Sequence, residues 1–192
     1  LSRTTLYLYQ PTRLTSDKNE LNVLLGECNS YQVDFETSLD SWNDVIWGSI
    51  DVYIDDEIID TLIIDDTTGN HASLVLDDYN MEDLTPGEHE LRAVFTTDDP
   101  YTKNSTTSLT LNVDGDVKLE LPGNITVMTT DSIVIPVNAT FNHKPLTNGV
   151  LTYYVNDNMV DTLDLSTGNK EITIANNYDP GTYTIRVDYQ DN

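Results

Sequence analysis

Residues 48–62 (GSIDVYIDDEIIDTL) and 149–163 (GVLTYYVNDNMVDTL) are two versions of one pattern, identical at six of fifteen aligned positions and conservative at most others. A second match follows in the same order, residues 85–92 (TPGEHELR) against 179–186 (DPGTYTIR). Two matches in one order indicate that one structural unit occurs twice. The sequence therefore predicts two domains, residues 1–114 and residues 115–192.

The matched segments have the pattern of half-buried β-strands. Ile50, Val52 and Ile54 alternate with less apolar residues, and the second copy alternates in the same way. Polar dipeptides, residues 56–57 and 157–158, separate the two arms of each segment and predict tight hairpin turns. Further strands are predicted at residues 5–9, 30–36, 72–76, 90–96 and 108–113 in the first copy, and at 117–121, 132–141, 170–175 and 183–189 in the second.

The chain shows no capped stretch with helical periodicity, and Thr, Val, Ile and Tyr stand where helix formers would be expected. Short strands separated by turn signals predict an all-β fold with two tandem β-sandwich domains. The first copy continues past Phe95 to a last strand at 108–113, whereas the second ends soon after Tyr189. We therefore expect the second domain to lack its last strand, and the chain to be part of a longer one. The strand at 183–189 should then have an open edge or pair with a neighbour's strand.

The chain is strongly acidic. Its 192 residues include 33 Asp and Glu against 9 Lys and Arg, a net charge of -24 near neutral pH. Such a surface repels phosphate backbones and anionic headgroups, which excludes nucleic-acid partners and peripheral membrane binding. The sequence also contains no apolar run of the roughly 18–20 residues that membrane insertion requires. The single cysteine, Cys28, has no internal disulfide partner.

The sequence predicts no enzyme and no catalytic residue. The histidines, His71, His89 and His143, lie far apart in sequence, and the motifs that pair a nucleophile with its base are absent, as are phosphate-binding loops. Carboxylate pairs are common, but with 33 acidic residues some pairs occur at any spacing. A glycosidase site therefore has no specific support.

Clusters of Asp and Glu offer oxygen ligands of the kind that Ca²⁺ takes. Asp114 and Asp116 form the candidate calcium site, because a cation between the domains would neutralise local repulsion and stiffen the joint. No other cofactor is predicted. The alternative interpretation is that each acidic cluster is a solvated turn, since Asp is favoured in turns and caps.

Both tryptophans, Trp42 and Trp47, lie in one insertion of the first copy, and the corresponding loop of the second copy is shorter and has none. An exposed tryptophan flanked by residues such as Asp44 is a common way to stack on a sugar ring or to anchor a protein partner. We therefore predict a ligand-binding site at Trp42, Asp44 and Trp47. The alternative is that Trp47 belongs to the core at the start of the next strand, while Trp42 covers the end of the sandwich.

Residues 179–185 (DPGTYTI) resemble the Asp-x-Gly-x-Tyr motif of immunoglobulin-like domains, with Ile185 where a disulfide-bonded Cys would stand. The resemblance implies that Tyr183 forms a tyrosine corner, in which its hydroxyl bonds back to the upstream chain. The first copy departs from the motif, with His89 in the Tyr place and Thr85 in the Asp place.

The wider pattern of an opening TTLYL strand, a GVLTYYVN hairpin and a PGTYTI strand resembles the Ig-like repeats of prokaryotic surface proteins, particularly adhesin-like proteins of methanogenic archaea. That resemblance implies an extracellular, surface-anchored segment that mediates attachment by binding a protein or glycan of another cell. The alternative, from a different functional class, is a purely structural stalk or surface-layer segment without a specific ligand.

Overall fold

The structure is a computed structural model, and it describes residues 2–26, 28–39 and 45–191. Within these ranges the chain is nearly all β, with a single 3₁₀ turn at Leu165–Thr167. The chain forms two compact units. One comprises the residues up to Asp83 together with Glu88–Asp114, and the other comprises Leu84–Gly87 together with the residues from Gly115 onward. The all-β prediction is confirmed.

The first unit is a two-sheet sandwich. Its strands are β1 (Gln10–Ser16), β2 (Glu20–Leu24), β3 (Ser30–Leu39), β4 (Gly48–Ile54), β5 (Glu57–Ile64), β6 (His71–Asp77), β7 (Gly87–Thr97), β8 (Thr102–Lys103) and β9 (Ser105–Asp114). One sheet has the order β6-β3-β1-β8 and the other the order β2-β9-β7-β4-β5. Strands β2 and β9 pair in parallel, whereas β4 pairs antiparallel with both β5 and β7.

The core of this unit lies between its two sheets. Phe35 and Leu74 from the first sheet, and Ile50, Leu91 and Leu111 from the second, are at most 1% exposed. Alternate residues of each strand point inward, so the period-two pattern becomes two interdigitating apolar faces. Each fully buried side chain of this size contributes about 1.5–3 kcal/mol to folding.

The second unit has strands of the same kind. They are β10 (Val117–Glu120), β11 (Ile133–Pro136), β12 (Asn138–Phe141), β13 (Lys144–Pro145), β14 (Val150–Val155), β15 (Asn158–Asp164), β16 (Glu171–Ile174) and β17 (Ile185–Gln190). Its sheets have the orders β10-β12-β13, β11-β16 and β15-β14-β17. The strand predicted at 132–141 is divided at Val137, because β11 pairs with β16 whereas β12 pairs with β10 and β13.

The second unit lacks the last strand of the sandwich, as predicted. In the first unit β7 lies between β4 and β9. The matching strand β17 pairs with β14, and no other described strand neighbours it. Its second edge is therefore open within the described residues.

Matched positions of the two copies make the same contacts around the hairpin. In the first copy Arg92 Nη2 donates to Asp56 Oδ1 at 2.8 Å, and its guanidinium lies 4.6 Å from the centroid of the Tyr53 ring. The corresponding residues of the second copy repeat these contacts at 3.1 and 4.1 Å: Arg186, Asp157 and Tyr154. The two copies therefore share these side-chain contacts as well as the sequence pattern.

The predicted hairpin dipeptides were wrong by one residue. The turns are formed by residues 55–56 and 156–157, and all four of these residues have positive φ, between 48° and 69°. Positive φ at both central positions is the mark of a type I′ turn, which matches the twist of the flanking strands. Asp and Asn tolerate this conformation better than Glu does, so Glu57 begins β5 instead.

The predicted first strand, at residues 5–9, was also wrong. Residues 2–9 form no strand, and the first sheet begins at Gln10. Leu6 and Leu8 are 76% and 75% exposed. The alternation of this segment is that of a strand, but no other described strand pairs with it.

Candidate functional site

Trp47 stands at one end of the first sandwich, directly before β4. Its carbonyl oxygen accepts a hydrogen bond from the backbone N–H of Asp98 at 3.0 Å. The preceding residue, Ile46, is buried, and its N–H donates to Asn70 Oδ1 at 3.3 Å. The backbone on both sides of Trp47 is therefore fixed, and the alternation at the strand entry turns the indole outward.

The Trp47 side chain is exposed and also oriented. It is 54% exposed, so Trp47 is not a core residue. Its indole Nε1–H donates to Asp66 Oδ1 at 3.1 Å, which holds the polar edge of the ring. An aromatic side chain with its polar edge bonded and much of its surface open is suited to stacking against a ligand.

A depression of about 420 Å³ adjoins the indole, and its lining mixes apolar and polar side chains: Gln10, Leu39, Val45, Ile46, Trp47, Asp99 and Thr102. Asp99 accepts hydrogen bonds from the Tyr101 N–H at 2.9 Å and from the Thr102 hydroxyl at 2.7 Å. Both hydrogen bonds lower the pKa of Asp99, and the bond from the Tyr101 N–H has the larger effect. The depression therefore presents an anionic carboxylate near an aromatic ring.

Of the predicted ligand-binding residues, Trp42 and Asp44 lie outside the described residues. The sequence analysis missed Asp66, Asp99 and Thr102. Asp66 and Asp99 reach the site from the loops after β5 and β7, and Thr102 reaches it from the start of β8, all far from Trp47 in sequence. Nothing in their local sequence distinguishes them from the many other turn aspartates and threonines of the chain.

Several acidic clusters form hydrogen-bonded turns. Asp65 Oδ1 accepts from the Thr67 hydroxyl at 2.6 Å, from the Thr67 N–H at 2.8 Å and from the Thr68 N–H at 3.1 Å. Asp77 binds the N–H groups of Tyr79 and Asn80 in the same manner. These are side-chain-to-backbone turns of the kind that Asp favours.

The Asp65 turn makes stability depend on pH. Hydrogen bonds from the Thr67 hydroxyl, and then from the N–H groups of Thr67 and Thr68, lower the pKa of Asp65 below its ordinary value of 3.8. A carboxyl group whose pKa is lower in the folded state than in the unfolded state stabilises the fold at any pH above its unfolded-state pKa. This stabilisation is lost as the pH falls through the folded-state pKa. We expect Asp65→Asn to lower the Tm at pH 7, and this difference to shrink as the pH falls below 3.8.

Glu57→Gln, at the exposed start of β5, is the control for the charge that Asp65→Asn removes. In a chain of net charge -24 the loss of one negative charge by itself reduces repulsion. Thermal melts of both variants from neutral to acid pH separate the two effects. Equal Tm changes for the two variants at every pH would contradict the role of the turn.

Asp114 and Asp116, the predicted calcium ligands, have other contacts in the structure. Asp114 ends β9, and its carbonyl oxygen accepts from the Leu25 N–H at 2.9 Å. Asp116 Oδ2 lies 3.3 Å from Lys118 Nζ. Within the described residues, no group of three or more His, Cys, Asp and Glu side chains has a geometry that would hold a metal ion. Calcium binding here stays a prediction.

Tyr183 has the contact that a tyrosine corner requires. Its hydroxyl donates to the carbonyl oxygen of Asp179 at 2.9 Å, and its ring centroid lies 5.0 Å from that of Tyr178. In the first copy His89 occupies the matching position, and its Nδ1 contacts the Asp55 carboxylate. The two copies therefore close this part of the fold with different side chains.

No helix among the described residues is long and apolar enough to cross a membrane. No family model and no curated protein matches the sequence. Among solved structures, the chain is similar to fibronectin(III)-like modules of Clostridium thermocellum CbhA, with 14% identity over 93% of this chain and 86% of that one and a TM-score of 0.35.

Two further similarities lie in the same range. The ICAM-5 D1–D4 ectodomain fragment is 8% identical over 94% of this chain and 41% of that one, with a TM-score of 0.42. A Ca²⁺-stabilized adhesin of an Antarctic bacterium is 13% identical over 98% of this chain and 49% of that one, with a TM-score of 0.33. The chain thus spans less than half of either. Similarities at this level say nothing about function.

Proposed function

We propose that this chain is a non-enzymatic, extracellular segment of a cell-surface adhesin-like protein, and that its first sandwich binds a glycan or protein ligand at Trp47. The observation that carries the proposal is the exposed, hydrogen-bonded indole beside the depression lined by Asp99 and Thr102. The assignment to surface proteins of methanogenic archaea rests on sequence resemblance alone.

The site has the chemistry of a stacking and hydrogen-bonding surface. The open part of the Trp47 ring offers an apolar platform for the C–H face of a sugar or for a side chain of a partner. Asp66 is bonded to the indole, and Asp99 supplies acceptor oxygens at the depression. Because the chain carries a net charge of -24, the site favours neutral or cationic ligands over anionic ones.

A structural stalk is the second candidate function, and the turn aspartates favour it. Asp65, Asp77 and Asp99 bond to their own turns, so much of the acidity serves the fold and its solubility. Such a segment would hold other domains away from the cell without binding a ligand of its own. The two functions differ in whether substitution of Trp47 changes any binding.

The proposal is tested by glycan-array and cell-binding measurements on the full chain and on Trp47→Ala. We expect Trp47→Ala to weaken binding by about thirtyfold, because removal of a central aromatic anchor costs about 2 kcal/mol or more. Tyr79→Ala is the matched control, since Tyr79 is 84% exposed and does not line the depression. Binding that survives Trp47→Ala, or no binding by the unmodified chain, would leave the stalk as the better account.

A further inference from the structure

Carboxylates adjoin Trp47 from two different loops. Asp66 Oδ1 accepts the indole N–H. The backbone N–H of Asp98 donates to the Trp47 carbonyl oxygen at 3.0 Å, which brings Asp99 to the same end of the sandwich. The ion pairs of the described residues include neither Asp66 nor Asp99, and the ammonium group of Lys103 lies over a tyrosine ring, 3.7 Å from its centroid. The negative charge beside the indole is therefore left for a ligand to neutralise.

The Asp99 carboxylate is held in place and still has room for the donors of a ligand. Its Oδ1 accepts from the Tyr101 N–H, and its Oδ2 accepts from the Thr102 hydroxyl. A carboxylate has about four lone-pair positions, and these two bonds occupy one on each oxygen. Asp99 is exposed and lines the depression beside Trp47. Both of its oxygens can therefore accept a further hydrogen bond from a bound group.

The indole adds a second requirement, which is a flat apolar face on the ligand. Trp47 is 54% exposed, and its ring is oriented by Asp66. A cation close to the face of a tryptophan ring is attracted by the quadrupole of the ring, and the adjoining carboxylates add to that attraction. A ligand that fits therefore has an apolar face to lie on the ring and a cationic hydrogen-bond donor to reach Asp99.

An amino sugar with a free amine meets both requirements. The C–H groups on one face of its ring can stack on the indole. Its ammonium group and a neighbouring hydroxyl are two adjacent donors, which match two adjacent carboxylate oxygens. A lysine side chain carries its ammonium group alone at the end of a flexible stem, so it loses more conformational freedom on binding. The site therefore favours an amino sugar over a lysine of a protein partner.

We propose, building on the ligand-binding function proposed above, that the Trp47 site recognises amino sugars whose amine is not acetylated. The sugar ring lies on the open part of the indole. The ammonium group and a neighbouring hydroxyl donate to the two oxygens of Asp99. Acetylation of the amine removes its positive charge and with it most of the affinity.

The test is an NMR titration of the full chain at about 0.15 M ionic strength, with the Trp47 indole N–H signal as reporter and Trp47→Phe to assign it. The ligands are the methyl glycosides of glucosamine, N-acetylglucosamine and glucose, which differ only at C2. Single sugars are used because a polycationic oligomer would bind anywhere on a chain of net charge -24. We expect the glucosamine glycoside to bind about tenfold more tightly than the other two, because its hydrogen bond to Asp99 joins two charged groups.

Asp99→Asn should remove this preference, and the control Asp98→Asn should keep it. Both variants remove one negative charge from the same loop, but Asp98 does not line the depression. The side-chain amide of Asp99→Asn can still accept from the Tyr101 N–H, so the turn retains that bond. A second measurement needs no substitution. Raising the pH from about 6 to about 9 should also remove the preference, because the amine loses its proton whereas Asp99 stays ionised.

A preference that persists in Asp99→Asn or at the higher pH would overturn the proposal. Equal binding of the three sugars would overturn it too, but would leave the proposed glycan-binding function standing, since the Trp47 signal would still respond. Nα-acetyl-lysine methylamide is the fourth ligand, and binding as tight as that of the glucosamine glycoside would assign the site to a protein side chain instead. If no ligand shifts the signal, this inference fails alone, and the glycan-array and cell-binding measurements on Trp47→Ala still decide the proposed function.

Discussion

Replacing Gly48 by Ala is expected to lower the free energy of unfolding of the first unit by about 2–4 kcal/mol. A Cβ at Gly48 would lie 2.2 Å from the carbonyl oxygen of Thr96 and 2.9 Å from a ring carbon of Phe95. The first of these atoms is backbone, so the methyl group fits only if β4 moves away from β7. That movement would also disturb the core contacts of Phe95, which is fully buried.

Gly149→Ala is expected to have at least as large an effect on the second unit. Its Cβ would lie 2.4 Å from the Tyr189 ring and 2.8 Å from the carbonyl oxygen of Gln190. Gly149 also has a φ of +89°, which adds a backbone cost of about 1 kcal/mol for a residue with a side chain. The matched glycines of the two copies thus make room for matched aromatic residues.

Denaturant unfolding measures both effects, and the chain offers a control in each unit. Both tryptophans belong to the first copy, so tryptophan fluorescence follows that unit, and NMR signals of the second unit follow the other. Gly69→Ala and Gly168→Ala have positive φ but no atom within 4 Å of the new methyl group. If Gly48→Ala or Gly149→Ala costs no more than its control, the close packing of the strands around these glycines is wrong.

Substitution by alanine is expected to destabilise the first unit more at Leu91 than it destabilises the second unit at Ile185. Leu91 is fully buried in the complete sandwich, so Leu91→Ala should cost about 2–5 kcal/mol through lost burial and the cavity left behind. Ile185 is half-buried and lines the open cavity of the second unit. Ile185→Ala should therefore cost about 1–2 kcal/mol, because part of its side chain is already in contact with water.

Denaturant unfolding, with the signal of each unit followed separately, also decides this prediction. The two positions match in the alignment of residues 85–92 with 179–186, so a complete second sandwich would respond to the loss of Ile185 as the first responds to the loss of Leu91. Equal losses in the two units would contradict the partial exposure of Ile185 at the cavity of the second unit.

Much of the fold was predictable because the residues that build it carry a local signal. Period-two alternation identified β4 and β14, and the internal match identified the hairpins that follow them. The missing last strand was predictable for the same reason, since the first copy showed what a complete unit contains.

Other strands carried no such signal. Strand β1 includes Pro11, and Leu14 is its only buried residue. Its sequence therefore shows no alternation of apolar and polar residues. Residues 5–9 alternate well but form no strand, because a strand depends on a partner as well as on its own pattern. The turn register failed because consecutive Asp, Asn and Glu residues all suit turns, and the requirement for positive φ at both central positions selects among them.

The candidate site was predictable only in part. Trp47 was found because tryptophan is rare here and both copies of the repeat were available for comparison. Asp66 and Asp99 come from other loops, and an aspartate in a loop looks the same whether it caps a turn, orients an indole or lines a depression. Which of these it does depends on how the sheets place the loops.

Amide hydrogen exchange of β7 and β17, followed by NMR, tests most directly that the two units repeat one sandwich pattern and that β17 has one open edge. Strand β7 has neighbours on both edges, so its amides should exchange slowly throughout. In β17 only the amides that face β14 should be slow, and the alternate amides should exchange fast. Uniformly slow exchange along β17, or the same fast alternation in β7, would contradict the account.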